Sequence, residues 1–252
     1  TSIIIPDSVT SIGEYAFYNC STLASIDIPN GVVSIKKGAF QGCSALTSIA
    51  IPDGVTCVER QSFYKCEALK TIHLSNTLES IGSYAFCHCT SLEAIDIPEG
   101  VTSIGYMAFR YCIKLSNITI PEGVTTIDEY AFEYCYSLET ITIPDGVTSM
   151  GEFVFYGCTK LQNLEGFKNF GKYFIRSKIG EFAYTNFTIK SIRNILNNLY
   201  DRYSAGEQTY MTLQLCEMYT VSIGGITALS DDDIAVATKK GWVIEIIDNR
   251  FS

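Results

Sequence analysis

The chain has 252 residues, of which 47% are hydrophobic and 18% are charged, so its composition is that of a folded protein rather than a disordered chain. The net charge of −9 arises in residues 1–161, which carry 8 Lys and Arg against 17 Asp and Glu, whereas residues 162–252 carry 10 of each. This balance argues against nucleic acids and anionic membranes as partners, because both bind basic surfaces. No apolar run approaches the roughly 20 residues of a membrane-spanning helix.

A repeat of 23 residues fills residues 1–161 with seven units and no insertion. Each unit has proline, phenylalanine, cysteine and leucine at fixed positions, except that Ser75 replaces one proline. The phenylalanines are Phe17, Phe40, Phe63, Phe86, Phe109, Phe132 and Phe155. The cysteines are Cys20, Cys43, Cys66, Cys89, Cys112, Cys135 and Cys158. Repetition at such a period indicates a solenoid, in which each unit covers the apolar face of the next.

The pattern within one unit predicts its path. Residues Leu23 to Ile28 alternate between apolar and polar positions, which predicts a short half-buried strand. Pro29 ends the strand because it cannot donate to a ladder, and Gly31 supplies the turn. A tight arc then brings Phe17 and its equivalents into the core. With strands about 4.8 Å apart, seven coils predict a parallel solenoid about 35 Å long.

These positions match a known pattern. The unit resembles the BspA-type (Treponema pallidum-type) leucine-rich repeat, L-x-x-I-x-I-P-x-x-V-x-x-I-G-x-x-A-F-x-x-C, over all of residues 1–161. One full copy comprises Ile5, Pro6, Val9, Ile12, Gly13, Ala16, Phe17, Cys20 and Leu23. The departures are Ser75 for proline, Ser62 and Val154 for alanine, and Lys36, Glu59 and Asp128 for glycine.

The resemblance implies a leucine-rich repeat solenoid of the α/β repeat class, with mostly short parallel strands joined by helical or irregular arcs. It also implies a non-catalytic surface protein that adheres to host proteins, including those of the extracellular matrix, in bacteria or protists that live with animal hosts.

Residues 162–252 are predicted to continue the repeat and to cap it. Residues 162–187 form a degenerate eighth coil with an insertion, because the pattern from Ile12 to Phe17 returns from Ile179 to Tyr184. Apolar residues at helical spacing predict a helix near 189–203, followed by a strand over Thr209–Leu215.

A second helix near 231–239 has clear end signals, with Ser230 as N-cap and Gly241 as stop, and a strand over Trp242–Ile247 follows. This part resembles the C-terminal module found behind such repeats in surface proteins of gut-type bacteria. Its strands are expected to continue the sheet and to cover the open end of the stack.

The cysteine column is predicted to consist of buried, unpaired thiols, because side chains in register point parallel to one another. Disulfides between neighbouring coils remain an alternative, since such positions lie within Cα range. Cys87, His88 and Cys89 form a metal-like cluster. Adjacent residues point to opposite sides, so we expect no metal there, only a surface histidine and cysteine beside a core cysteine. No cofactor is expected.

The sequence does not assemble a catalytic centre. The two histidines, His73 and His88, are expected on a strand and on the arc, and no cysteine has a plausible histidine partner. Carboxylates on an open solenoid face lack the enclosing cleft that shifts a pKa. We therefore expect a protein that is not an enzyme.

Two surfaces are candidate binding sites. On the strands, small polar side chains face outward, and the residues singled out are Asp27, Thr71, His73, Asp96, Asn117, Thr119, Thr140, Thr142 and Glu165. On the arc, exposed side chains of types that favour protein interfaces are expected at Tyr18, Tyr64, Arg110, Tyr111, Tyr134 and Tyr156.

Extended solenoid faces are the usual binding surfaces of repeat proteins. The sequence therefore favours a cell-surface or secreted module that binds a host or extracellular-matrix protein. A carbohydrate-binding module that uses the tyrosines of the arc and a structural spacer are the alternatives. The first residues lack the charged segment and cleavage site of a signal peptide, so any export signal is expected outside this sequence.

Overall fold

The computed structural model describes residues 2–166, 178–182, 211–216, 231–239 and 242–247. Within residues 2–166 the chain winds as a parallel solenoid, and paired strand residues are 23 positions apart, as Ser2 and Ser25 are. The predicted leucine-rich repeat solenoid is confirmed. Among the described residues, no helix has the length and apolarity that crossing a bilayer requires.

One side of the solenoid is a column of short parallel strands, whose outward side we call the sheet face. In the three-residue strands of the later coils the middle residue is buried while its two neighbours are exposed. This pattern follows from the alternation of side chains along a strand. In the first strand, Ile3 is 40% exposed. The strands are Ser2–Ile4, Ser25–Asp27, Ser48–Ala50, Thr71–His73, Ala94–Asp96, Asn117–Thr119, Thr140–Ile143 and Asn163–Gly166.

A second column of two-residue strands follows the proline turn. The turn closes when the backbone N–H of Val101 donates to the carbonyl of Pro98 at 3.0 Å, and other coils repeat this bond. The strands are Ser11–Ile12, Ser34–Ile35, Cys57–Val58, Ser80–Ile81, Ser103–Ile104, Thr126–Ile127 and Ser149–Met150. The last five form one continuous parallel sheet.

The third side of each coil is an arc around the phenylalanine, irregular rather than helical. Two residues per arc have positive φ, one two positions before the phenylalanine and one two positions after it. They are Tyr15, Asn19, Gly38, Gly42, Gln61, Lys65, Tyr84, His88, Met107, Tyr111, Tyr130, Tyr134, Phe153 and Gly157. Those that are not glycine have φ between 54° and 62°. Such a backbone costs an L-residue about 1–2 kcal/mol, so other interactions must hold it.

Backbone hydrogen bonds between coils hold the arc. The peptide group between Ala85 and Phe86 accepts a hydrogen bond from Phe63 N–H of the preceding coil at 2.9 Å. The same peptide group donates to the carbonyl of Ala108 in the following coil at 2.8 Å. Tyr84 and His88, on either side of Phe86, have a left-handed backbone conformation. They orient this peptide group along the solenoid axis, so it forms hydrogen bonds with both the preceding and the following coil.

The core is a stack of phenylalanine rings, one per coil. Centroids of successive rings lie 5.1–5.8 Å apart and the ring planes differ by 2–13°. Phe109 stacks between Phe86 and Phe132 and is 0% exposed, whereas Phe17, in the first coil, is only partly buried. Leucine, isoleucine and valine from both strand columns surround the stack and form one continuous core.

The cysteine column consists of unpaired thiols, as predicted. Each Sγ from Cys43 to Cys158 donates to the carbonyl of the phenylalanine in the preceding coil at 3.1–3.2 Å, as Cys112 does to Phe86. Burial raises the pKa of these thiols, and that of Cys158 reaches about 12. The thiols therefore stay protonated and serve as donors.

Departures from the repeat are compensated locally. Ser75 is buried, and its Oγ accepts from the backbone N–H of Thr77 at 3.2 Å. The hydroxyl of buried Ser62 donates to the carbonyl of Glu59 at 2.8 Å. The carboxylate of Glu59 accepts from the backbone N–H of Lys37 at 3.0 Å. Each substituted polar group thus has a partner, which is what burial requires.

Beyond residue 166 the structure describes a separate parallel sheet and one helix. Strands Lys178–Phe182, Met211–Cys216 and Trp242–Ile247 pair with one another, with the second in the middle. The helix Asp231–Lys239 and the last strand have the predicted bounds. No described strand of the coils pairs with these three. Val236 packs against the coil core, while the capping role stays a prediction.

The other expectations for this part fall on different residues. The central strand starts at Met211 and ends at Cys216, slightly later than the expected Thr209–Leu215. The predicted helix near 189–203 lies outside the described residues, as does most of the predicted eighth coil, 162–187.

The phenylalanine stack predicts that position along the solenoid decides the effect of losing a ring. Phe109→Ala is expected to lower the free energy of unfolding by about 3–5 kcal/mol, because it opens a cavity between two rings. Phe17→Ala serves as the matched control and should lower it less, since Phe17 is only partly buried. Urea denaturation followed by circular dichroism measures both, and equal losses would contradict the stacking argument.

The buried thiols predict a loss of stability in alkaline solution. Cys43 has its pKa raised by burial from 9.0 to about 12, so an unfolded thiol ionises while the folded one keeps its proton. Stability is therefore complete below about pH 9 and falls as the pH rises toward the folded pKa, by roughly 1 kcal/mol per thiol near pH 10. Denaturant unfolding in reducing buffer across this range should show a smaller alkaline loss for Cys112→Ala than for the wild type. Parallel pH profiles would refute the prediction.

Candidate binding surfaces

The sheet face carries the first predicted set, and all nine residues are exposed on it. They are Asp27, Thr71, His73, Asp96, Asn117, Thr119, Thr140, Thr142 and Glu165. Each occupies the first or third position of its strand, so it points away from the buried middle residue. The geometry expected from the sequence is present, and the binding role stays a prediction.

The strands at the C-terminal end of the sheet face create an uncharged polar patch. We call this the threonine patch, and it consists of Asn117, Thr119, Thr140 and Thr142. Thr119 pairs in register with Asp96 on one side, and Thr142 pairs with Glu165 on the other. The hydroxyl and amide groups thus form a regular array whose rows are separated by the distance between neighbouring strands, with a carboxylate at each edge.

The predicted residues of the arc fall into two columns. Tyr18, Tyr64, Arg110 and Tyr156 directly follow a phenylalanine, whereas Tyr111 and Tyr134 are two residues after one and have positive φ. The expectation of exposed rings holds for Tyr18, which is 50% exposed. It is wrong for the other tyrosines of this set, which are partly buried.

Ring stacking explains that burial. The Tyr111 ring lies 4.6 Å from His88 and 4.7 Å from Tyr134, with planes 19° and 26° apart. The Tyr156 ring packs edge-on against Tyr134 at 5.5 Å. Neighbouring coils bring these rings within stacking distance, so their faces contact one another.

Arg110 is also held between coils. Its guanidinium lies 4.8 Å from the centre of the Tyr111 ring and 5.8 Å from that of Tyr134. Its Nε donates to the carboxylate of Glu133, which is 5% exposed. Burial raises the pKa of Glu133, and the charge of Arg110 offsets part of that rise. The pair is a polar contact between coils, with one edge of Arg110 at the surface.

A second row of rings, on the other side of the arc, was not anticipated from the sequence. Tyr84, Tyr106, Tyr130 and Phe153 contact one another in succession, with centroids 5.3–5.9 Å apart. A signal for it existed, because glycine occurs at Gly38 two residues before a phenylalanine and at Gly42 and Gly157 two residues after one. Glycine in these columns indicates positive φ, which Tyr84, Tyr130 and Phe153 have, whereas Tyr106 lies one position earlier in its coil.

The cluster Cys87–His88–Cys89 does not converge on a common point. Cys89 lies in the core, and His88 has φ of 62° and stacks on Tyr111. The expectation of a surface cysteine is wrong for Cys87, which is 1% exposed. Its side chain is shorter than those of Tyr64 and Arg110, which occupy the same position in the adjacent coils. Within the described ranges no three His, Cys, Asp or Glu side chains group in a way that could hold a metal ion.

The coils enclose little free space. A crevice between the second and third coils is lined by Ile35, Val55, Val58 and Phe63 and is too narrow for a water molecule. His73 lies on the sheet face and His88 on the arc, so the two imidazoles do not share a site. The outward residues of the sheet face are exposed, so this face is an open surface.

Comparison with known proteins identifies the repeat. The family model for the BspA type leucine-rich repeat region matches six copies, over residues 1–99 and 79–203. A leucine-rich repeat protein of T. pallidum is 33% identical, with 64% of this chain and 77% of that chain covered and a TM-score of 0.61. A leucine-rich repeat protein from Eubacterium ventriosum is 32% identical over 62% of this chain and 42% of its own, with a TM-score of 0.54. No curated protein matches.

The chain thus spans less than half of the Eubacterium ventriosum protein, and about three quarters of the T. pallidum protein. The matched residues include all seven coils with their stacked phenylalanines and their cysteine column. The chain belongs to the BspA-type leucine-rich repeat family.

Proposed function

We propose that the chain is a non-catalytic binding module that recognises a protein partner through its sheet face. The observation that carries this proposal is the threonine patch, bracketed by Asp96 and Glu165. It offers donors and acceptors in a regular array, with no bulky side chain above them. Such an array suits the main-chain and side-chain polar groups of another protein.

The patch is ordered before a partner arrives. Ile118 and Ile141, between its outward residues, are 6% and 2% exposed and fix the strands to the core. Threonine and asparagine have short side chains with few rotamers, so these side chains lose little conformational entropy on binding. Preorganisation therefore supports affinity from a small number of contacts.

The shape of the face supports a macromolecular ligand. A small molecule needs a concave site that covers most of its surface, and the sheet face is open. Its eight strands span about 34 Å at the usual strand spacing, which is comparable with one side of a standard protein interface.

Membership of the BspA-type family supports a location for this binding activity. We infer that the chain acts at the cell surface or in secreted form and adheres to a host or extracellular-matrix protein. A carbohydrate-binding role would use the faces of the tyrosine rings on the arc, which are stacked on one another. A spacer role would leave the threonine patch without a partner.

The test is a biosensor panel of extracellular-matrix proteins and host glycans at physiological salt. A saturable protein signal is expected, and Thr119→Lys with Thr142→Lys should weaken it at least about tenfold, because two bulky cations then stand in the patch. Thr125→Lys with Thr148→Lys is the matched control, since these threonines are also exposed but lie beside the second strand column, where their hydroxyls donate to carbonyls of the preceding coil. The control should bind as the wild type does.

Other outcomes contradict the proposal in distinct ways. Binding to glycans alone, lost on Tyr18→Ala, would favour the carbohydrate module. Equal loss in both double variants would mean that the sheet face is not the site. A silent panel would favour the spacer, and turnover in a hydrolase screen would overturn the non-catalytic assignment.

A further inference from the structure

The arc carries a charge gradient along the solenoid. We call the column three residues before each stacked phenylalanine the charged strip, and it consists of Glu14, Lys37, Arg60, Ser83, Tyr106, Glu129 and Glu152. After Glu14 in the first coil, it is basic in coils two and three, neutral in coils four and five, and acidic in coils six and seven. The neighbouring column adds Lys36 in coil two, Glu59 in coil three and Asp128 in coil six. Glu59 pairs with Lys36 at 3.2 Å, so these two charges offset each other.

The middle of the strip is aromatic. The rings of Tyr84 and Tyr106 meet at 5.3 Å, edge to face, in the fourth and fifth coils. Arg60 reaches over the Tyr84 ring at 5.6 Å, and Tyr130 continues the row 5.9 Å beyond Tyr106. From coil two onward, the strip together with Tyr84 and Tyr130 of the adjacent column therefore presents cations, rings and carboxylates in that order.

Three charges of the strip, on Lys37, Arg60 and Glu129, lie outside the ion pairs of the described coils. Lys37 lies over the Tyr15 ring at 5.4 Å, and Arg60 lies over Tyr84. Within the coils that the structure describes, the ion pairs are Lys36 with Glu59 and Arg110 with Glu133. Lys37, Arg60 and Glu129 are in neither pair and are at least partly exposed.

We propose that the charged strip is a self-complementary surface that docks a second copy of this chain in antiparallel orientation. A two-fold axis perpendicular to the solenoid, between coils four and five, sets coil two against coil seven and coil three against coil six. Arg60 of one copy then faces Glu129 of the other, and the two-fold axis makes this contact twice. Tyr84 and Tyr106 lie at the centre, where tyrosine favours a protein interface.

Charge selects this orientation over the parallel one. A two-fold axis along the solenoid would place each coil against its own equivalent, with Lys37 on Lys37 and Glu129 on Glu129, and like charges oppose such a contact. The strip is only a few residue columns wide, so it buries less than a standard interface of about 1,600 Å². The dimer is accordingly weak and depends on ionic strength.

The experiment is sedimentation equilibrium of the full chain up to about 100 µM, where micromolar association is visible. The wild type is expected to dimerise in about 50 mM NaCl and to dissociate in about 500 mM. Arg60→Glu alone and Glu129→Arg alone should each weaken association at least about tenfold, because two like-charged contacts replace two attractive ones. Lys70→Glu, an exposed charge reversal outside the strip, is the matched control and should leave the dimer intact.

Mixing the two single variants gives the decisive result. In a mixed dimer the glutamate introduced by Arg60→Glu faces the arginine introduced by Glu129→Arg. At the other contact the unchanged Arg60 of one variant faces the unchanged Glu129 of the other, so both pairs are attractive again. The mixture should dimerise within about threefold of the wild-type constant although neither variant does so alone.

A wild-type monomer in low salt, or a mixture that stays monomeric, would overturn the proposal. These readouts are independent of any ligand, so they fail or succeed separately from the proposed sheet-face binding.

Discussion

Three hydrogen-bonded columns must keep one register at the same time, and this requirement sets the length of every coil. The sheet face, the second strand column and the arc each bond a coil to its neighbours. An extra residue in one coil would shift at least one column, leave buried peptide groups without partners and turn strand side chains to the wrong side. Substitutions such as Ser75 and Glu59 are accommodated because they change side chains and leave the register intact.

The same requirement explains which features the sequence reveals. Strands, turns and core residues follow from the 23-residue spacing alone, because buried positions admit few residue types. The left-handed residues of the arc were missed, since tyrosine or histidine there has no signature of its own. The exposure expected of Tyr64 and Tyr111 was wrong because it depends on rings in neighbouring coils. The nine residues of the sheet face were placed correctly, since alternation along a strand is a local property.

The two surfaces of the solenoid differ in physical character. On the sheet face, the outward residues are mostly short and polar, and they are exposed. On the arc, large rings pack along the axis and charged residues lie over them, as Arg60 lies over Tyr84. A partner on the sheet face and a second copy on the arc would therefore not compete, and an antiparallel pair would present two threonine patches to the same target.

The peptide groups of the arc share one direction along the solenoid. Three per coil donate to the following coil and accept from the preceding one, as the one between Ala85 and Phe86 does. Peptide groups in the other columns donate backward, as Gly82 does to Val58 and Thr102 does to Glu79, so their dipoles oppose those of the arc. The dipoles of the arc therefore act locally, with their positive ends toward the later coils. Two arcs docked against each other attract when these local dipoles oppose, which is the antiparallel arrangement that the side-chain charges also favour.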